Sequence, residues 1–152
     1  MTRLHVPILL GLFLLLAATP SEGGPFGLGI IVGEPTGISA KLRLGGTNAV
    51  DGAVAWSLDG SDDLHLHADY LWHNYNVIPV QKGRLPLYFG IGGRLQFRED
   101  RDDTIGVRFP VGLEYIFATA PFNVFAEVAG ILDLNPDTDF DVNGGFGVRF
   151  IF

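Results

Sequence analysis

Residues Leu85 to Phe97 read LPLYFGIGGRLQF. Successive side chains of an extended strand point to opposite faces. Leu85, Leu87, Phe89, Ile91, Leu95 and Phe97 therefore share one face, and Tyr88, Gly90, Gly92, Arg94 and Gln96 share the other. Alternation of this length predicts a β-strand with one apolar and one polar side. The same pattern runs to the end of the chain. Ile105, Val107, Phe109, Val111, Leu113, Tyr115 and Phe117 stand against Gly106, Arg108, Gly112 and Glu114. Phe122, Val124, Ala126, Val128 and Leu132 stand against Asn123, Glu127 and Asp133. Phe140, Val142, Phe146, Val148, Phe150 and Phe152 stand against Asp141, Asn143, Gly145, Gly147 and Arg149.

Upstream, four noisier segments follow suit, around Phe26–Gly33, Ile38–Leu44, Val50–Leu58 and Leu64–His73. Between them lie turn-forming runs: Glu34-Pro35-Thr36-Gly37, Gly45-Gly46-Thr47-Asn48, Asp59-Gly60-Ser61-Asp62 and Asn135-Pro136-Asp137. Strand four is expected to run past Asn74 and turn near Gln81-Lys82-Gly83. Eight sequential strands with short connections imply an antiparallel meander, and eight can close into a barrel with no free edge.

The chain has 152 residues, enough for one domain. It is 47% hydrophobic and only 18% charged, which excludes a disordered chain. A net charge of −7 makes it a poor partner for nucleic acid. The absence of cysteine excludes disulfides, thiolate metal sites and cysteine nucleophiles. Its first residues, MTRLHVPILLGLFLLL, join a basic Arg3 to a short apolar run, and small residues follow from Ala17 to Ser21. This is the pattern of a secretory signal peptide over residues 1–22, cleaved between Ala17 and Gly23. The run is too short to span a bilayer as a helix.

Alternation alone leaves open which face is inside. Three features favour polar side chains inside and apolar ones outside. Glycine makes up 21 residues and crowds the polar face, where it would weaken a water-exposed strand but would make room inside a narrow barrel for neighbours such as Arg94 and Tyr88. Trp56, Tyr70, Trp72, Phe97, Tyr115, Phe117, Phe122 and Phe140 fall near strand ends, as two interfacial girdles would require. The chain closes on Phe146, Val148, Phe150 and Phe152 at alternate positions.

In these residues the chain resembles bacterial outer-membrane barrel proteins. More narrowly, Gly33-Glu-Pro-Thr-Gly-Ile-Ser39, Asp69-Tyr-Leu-Trp-His73 and Gly83-Arg-Leu-Pro-Leu-Tyr-Phe-Gly-Ile-Gly-Gly93 resemble a family of small eight-stranded outer-membrane barrels of unknown function. The resemblance covers the chain after the signal peptide. It implies that Phe146, Val148, Phe150 and Phe152 form a C-terminal insertion signal read by the barrel-assembly machinery. It also implies a location in the bacterial outer membrane, with lipid as the main partner.

The expected fold is therefore all-β: an eight-stranded antiparallel up-and-down transmembrane barrel over residues 23–152. With eight strands both termini lie on one side, the periplasmic side. The loops after strands one, three, five and seven then face outward and carry Glu34, Asp59, Asp62, Asp63, Glu99, Asp100, Asp102, Asp103, Asp137 and Asp139. Lys82 and Arg84 lie at the opposite rim. Lys41, Arg43, Arg94, Arg108 and Arg149 point inward among Asp51, Asp69, Glu114, Glu127, Asp133 and Asp141. Buried charges must pair, so these residues are expected to fill the lumen as an ion network. Glu114, Glu127 and Arg149 are expected to form one cluster within it.

His65, His67 and Asp69 share a strand face and could offer two imidazoles and a carboxylate to zinc or copper. The competing expectation is that they hydrogen-bond within the lumen, with no resident metal or other cofactor. Ser57 and His65 are the only loose Ser/His candidates for catalysis, and no enzyme activity is expected. A structural or interaction role follows. Two alternatives stay open on the sequence: a narrow channel or small-ligand or metal-binding barrel, and a soluble exported lipocalin-like carrier of hydrophobic ligands.

Overall fold

Period-two alternation and turn chemistry produce eight strands: β1 (Phe26–Glu34), β2 (Thr36–Arg43), β3 (Asn48–Trp56), β4 (Leu64–Asn74), β5 (Leu87–Phe97), β6 (Thr104–Ile116), β7 (Phe122–Asn135) and β8 (Asp139–Ile151). The computed structural model describes residues 24–34, 36–56, 63–98 and 102–152. Residues 1–22, read above as a signal peptide, lie outside them, as do Ser57, Asp59, Asp62, Glu99 and Asp100. Each strand pairs antiparallel with the next, and β8 returns to β1, giving a closed eight-stranded all-β barrel. The closing seam places Leu28 beside Phe150 and Gly29 beside Arg149. At the rim that holds both termini, the Phe152 N–H donates to the Phe26 carbonyl at 2.7 Å.

The two faces are inverted relative to a soluble barrel. Outward residues are exposed and apolar: Phe109 is 46% exposed, Val111 52% and Phe146 65%. Inward residues are buried and polar, including Ser39, Lys41, Asp51, Asp69, Arg94, Arg108, Glu114, Glu127 and Arg149. No described Asp, Glu, Lys or Arg side chain occupies an outward strand position. Aromatic contacts gather at the terminal rim. Tyr70 packs on Trp72 and Trp72 on Phe89, Tyr115 on Phe117, and Phe122 on Phe150.

Large inward side chains face glycine across the ladder. Tyr88 is opposite Gly112, Arg94 opposite Gly106, Phe125 opposite Gly147 and Arg149 opposite Gly29. A Cβ on Gly147 would sit 2.6 Å from Cζ of Phe125, so glycine there is a matter of space. This is how a narrow lumen accommodates rings and guanidinium groups.

Strand four ends at Asn74, short of the expected extension. Oδ1 of Asn74 accepts the Asn76 N–H at 3.0 Å, which starts a turn instead. Pro79 and Pro86 supply no ladder donors within the connection that follows. The connection is held at its far end. Arg84 bridges to Ile116, and the Tyr115 hydroxyl donates to the Lys82 carbonyl at 2.9 Å. Gly83 between them has φ of +74°, a conformation that favours glycine.

Candidate functional site

The barrel register places inward side chains in rows across neighbouring strands. One row runs Lys41, Asp51, Asp69, Gly92 and Arg108 over β2 to β6. A Cβ on Gly92 would collide with Oδ1 of Asp69, so glycine leaves room for this carboxylate, whose Oδ2 accepts the Arg108 guanidinium at 2.6 Å. Its other side meets Oε1 of Glu127, with Nη1 and Nη2 each 3.1 Å away. Arg108 thus ties β4 to β7 across the lumen.

A second cluster lies nearer the termini and centres on Glu114, which is fully buried. Its Oε2 accepts Lys41 Nζ at 2.5 Å and lies 3.7 Å from Arg149 Nη1. Its Oε1 accepts Arg43 Nη2 and Asn123 Nδ2, both at 3.0 Å. Arg149 also donates to Ser39 Oγ from Nε at 3.1 Å and from Nη2 at 2.9 Å, and reaches Asp51 Oδ2 at 3.4 Å. Lys41 Nζ is 2.6 Å from His73 Nε2, and His73 Nδ1 is 2.9 Å from the Thr47 carbonyl. A neutral imidazole carrying its proton on Nδ1 satisfies both contacts.

The third cluster lies toward the acidic mouth. Arg94 forms a fork with Asp133, Nε to Oδ1 at 3.1 Å and Nη2 to Oδ2 at 2.7 Å, and its Nη2 lies 3.5 Å from Asp141. This is the bidentate geometry that guanidinium and carboxylate favour. Asp141 itself is half-exposed at that mouth.

The charged lumenal residues singled out from the sequence sit in these clusters, and Asp51 beside Asp69 links the first two. Glu127 pairs with Arg108 rather than with Arg149. The reason is register. Glu127 is level with Gly145, Phe125 with Gly147, and Asn123 with Arg149, so Arg149 is two inward positions from Glu127. The Phe125 ring fills the step between them. Ser39, His73 and Asn123 are hub partners that the charge pattern could not reveal, although each lies on an inward row.

The metal expectation changes composition in the structure. Asp51 joins His67 and Asp69, and one donor atom from each lies within 4.8 Å of the others. These donors are already engaged by cations, Asp69 by Arg108 at 2.6 Å and Asp51 by Arg149 at 3.4 Å. A divalent ion would have to displace a guanidinium, so the arrangement does not fit a resident metal well. His65 lies with His67, Arg94 and Arg108 around a cavity of about 20 Å³ between the first and third clusters. That volume is room for about one water.

Among solved structures, the N-terminal β-barrel domain of OprF from Pseudomonas aeruginosa is similar to this chain. The TM-score is 0.58 at 17% sequence identity, over 82% of this chain and 93% of that one. At this identity the likeness establishes the fold. No family model and no curated protein matches the chain.

Proposed function

We propose that this chain is an integral outer-membrane protein whose barrel, residues 23–152, spans the bilayer after removal of residues 1–22. In this reading both termini are periplasmic. Phe146, Val148, Phe150 and Phe152 on β8 present the strand to the assembly machinery. The role is structural or interactive rather than catalytic, and the lumen is a plug rather than a pore. One observation carries the reading: a belt of exposed large apolar side chains surrounds a lumen of buried ion pairs. Soluble monomers rarely expose contiguous apolar patches beyond a few hundred Å², whereas hydrocarbon requires such a surface. The three clusters and the small residual cavity support the plug. The same inversion disfavours a soluble carrier, whose lumen would be lined with apolar groups.

Fractionation of expressing cells, with gel mobility compared before and after boiling in detergent, tests this reading. The protein is expected in the outer-membrane fraction and should shift mobility on heating. Recovery in the soluble fraction without detergent contradicts the reading.

A further inference from the structure

The two mouths of the barrel carry opposite charge. The acidic mouth bears Asp63, Asp102, Asp103, Asp137 and Asp139 among the described residues. The terminal mouth bears Arg43, Lys82 and Arg84, and no described Asp or Glu lies in its connecting segments. There a cavity of about 400 Å³ opens, lined by Arg43 and Arg84 and by the apolar Ile116, Phe117, Phe122 and Ile151. This volume lies in the range of small-ligand sites.

The two arginines differ from those of the lumen. Arg43 spends Nη2 on Glu114, and its side chain is 22% exposed. Arg84 is anchored by its backbone to Ile116 and stacked over the Tyr75 ring, 5.0 Å from its centroid. Among the described residues its guanidinium meets no carboxylate. Two like charges lining one cavity repel, and an anion between them removes that repulsion. Guanidinium groups bind phosphate by paired, charge-assisted hydrogen bonds. The remaining wall is apolar and continues into the outer belt through Phe117, which is exposed.

We propose that this cavity binds the phosphate of an anionic phospholipid, whose acyl chains lie along the belt beside Phe117 and Phe122. The proposal rests on the membrane reading above and adds headgroup selectivity to it. The shared chemistry is a phosphate anion, and the apolar wall assigns it to a lipid rather than to free phosphate. Exposed Val77 and Val80 in the same connection as Arg84 would lie at the depth of the headgroups.

The test is native mass spectrometry of the protein released from detergent micelles doped equally with phosphatidylglycerol and phosphatidylcholine. One phosphatidylglycerol should be retained preferentially. Arg84→Ala should reduce that retention by about tenfold. Arg98→Ala, at the acidic mouth, should leave it unchanged. Heat-modifiable mobility confirms that both variants fold. Equal retention of the two lipids, or equal loss in the two variants, overturns the proposal. Soluble glycerol phosphate binding as tightly as the lipid overturns the lipid assignment. Incorporation into pure phosphatidylcholine discs reports on the membrane reading separately, because it does not depend on headgroup selectivity.

Discussion

The Phe125 ring lies against Arg149, 3.9 Å from the guanidinium carbon to the ring centroid. The contact is a cation–π pair, and it also holds Arg149 away from Glu127. On one side Arg149 joins Glu114, Ser39 and Asp51; on the other Arg108 joins Asp69 and Glu127. Together these clusters hold four cations and four carboxylates, so their formal charges balance.

Arg149→Leu is expected to destabilise the barrel by about 3–5 kcal/mol, because it leaves Asp51 and Ser39 buried without their partner. Lys82→Leu, at an exposed position, should change stability by less than about 0.5 kcal/mol. Denaturant unfolding in lipid vesicles measures both. Equal effects would mean that the cluster contributes no more than surface charge.

The separation by Phe125 has its own signature. Glu127→Gln and Arg149→Leu should add within about 0.5 kcal/mol, whereas Glu127→Gln and Arg108→Leu should couple by about 1 kcal/mol or more. A double-mutant cycle measures this. Coupling of Glu127 to Arg149 as strong as to Arg108 would show a single cluster.

The sequence carried the strands, their order and the face of nearly every residue. Period-two alternation is a local signal, and it leaves the register of β7 on β8 open by one step. Glu127 is level with Gly145, so the expected Glu127–Arg149 contact does not form. What alternation could not show is how far a side chain reaches once inside. Arg108 on β6 reaches Asp69 on β4, and Phe125 stands between Arg149 and Glu127; both depend on side-chain volume across the lumen. The end of β4 was also hidden. At its end the Asn74 side chain accepts the Asn76 N–H, whereas the following residues Val77, Ile78 and Val80 are apolar enough to continue a strand.

Substitution of glycine should separate space from composition. Gly147→Ala would drive Cβ into the Phe125 ring and should cost about 1–3 kcal/mol. Gly130→Ala, on the outward face, meets only Phe140 at 3.5 Å and should be tolerated. Comparable losses of stability in the two variants would argue against a close-packed lumen.

A plugged lumen should not conduct steadily. The space between the clusters is about 20 Å³, too small for a hydrated ion, and opening a path requires breaking at least one ion pair. Planar-bilayer recording should show no stable steps. Large, reproducible single-channel currents would favour the channel reading.

The most direct test of the inverted barrel uses the absence of native cysteine. Single cysteines at Val111, in the outward row of β6, and at Asp102, in the loop after β5, can be challenged in lipid vesicles with a membrane-impermeant maleimide. Val111→Cys should resist labelling while Asp102→Cys reacts readily. Labelling of Val111→Cys as fast as Asp102→Cys would contradict the assignment of the apolar face to lipid.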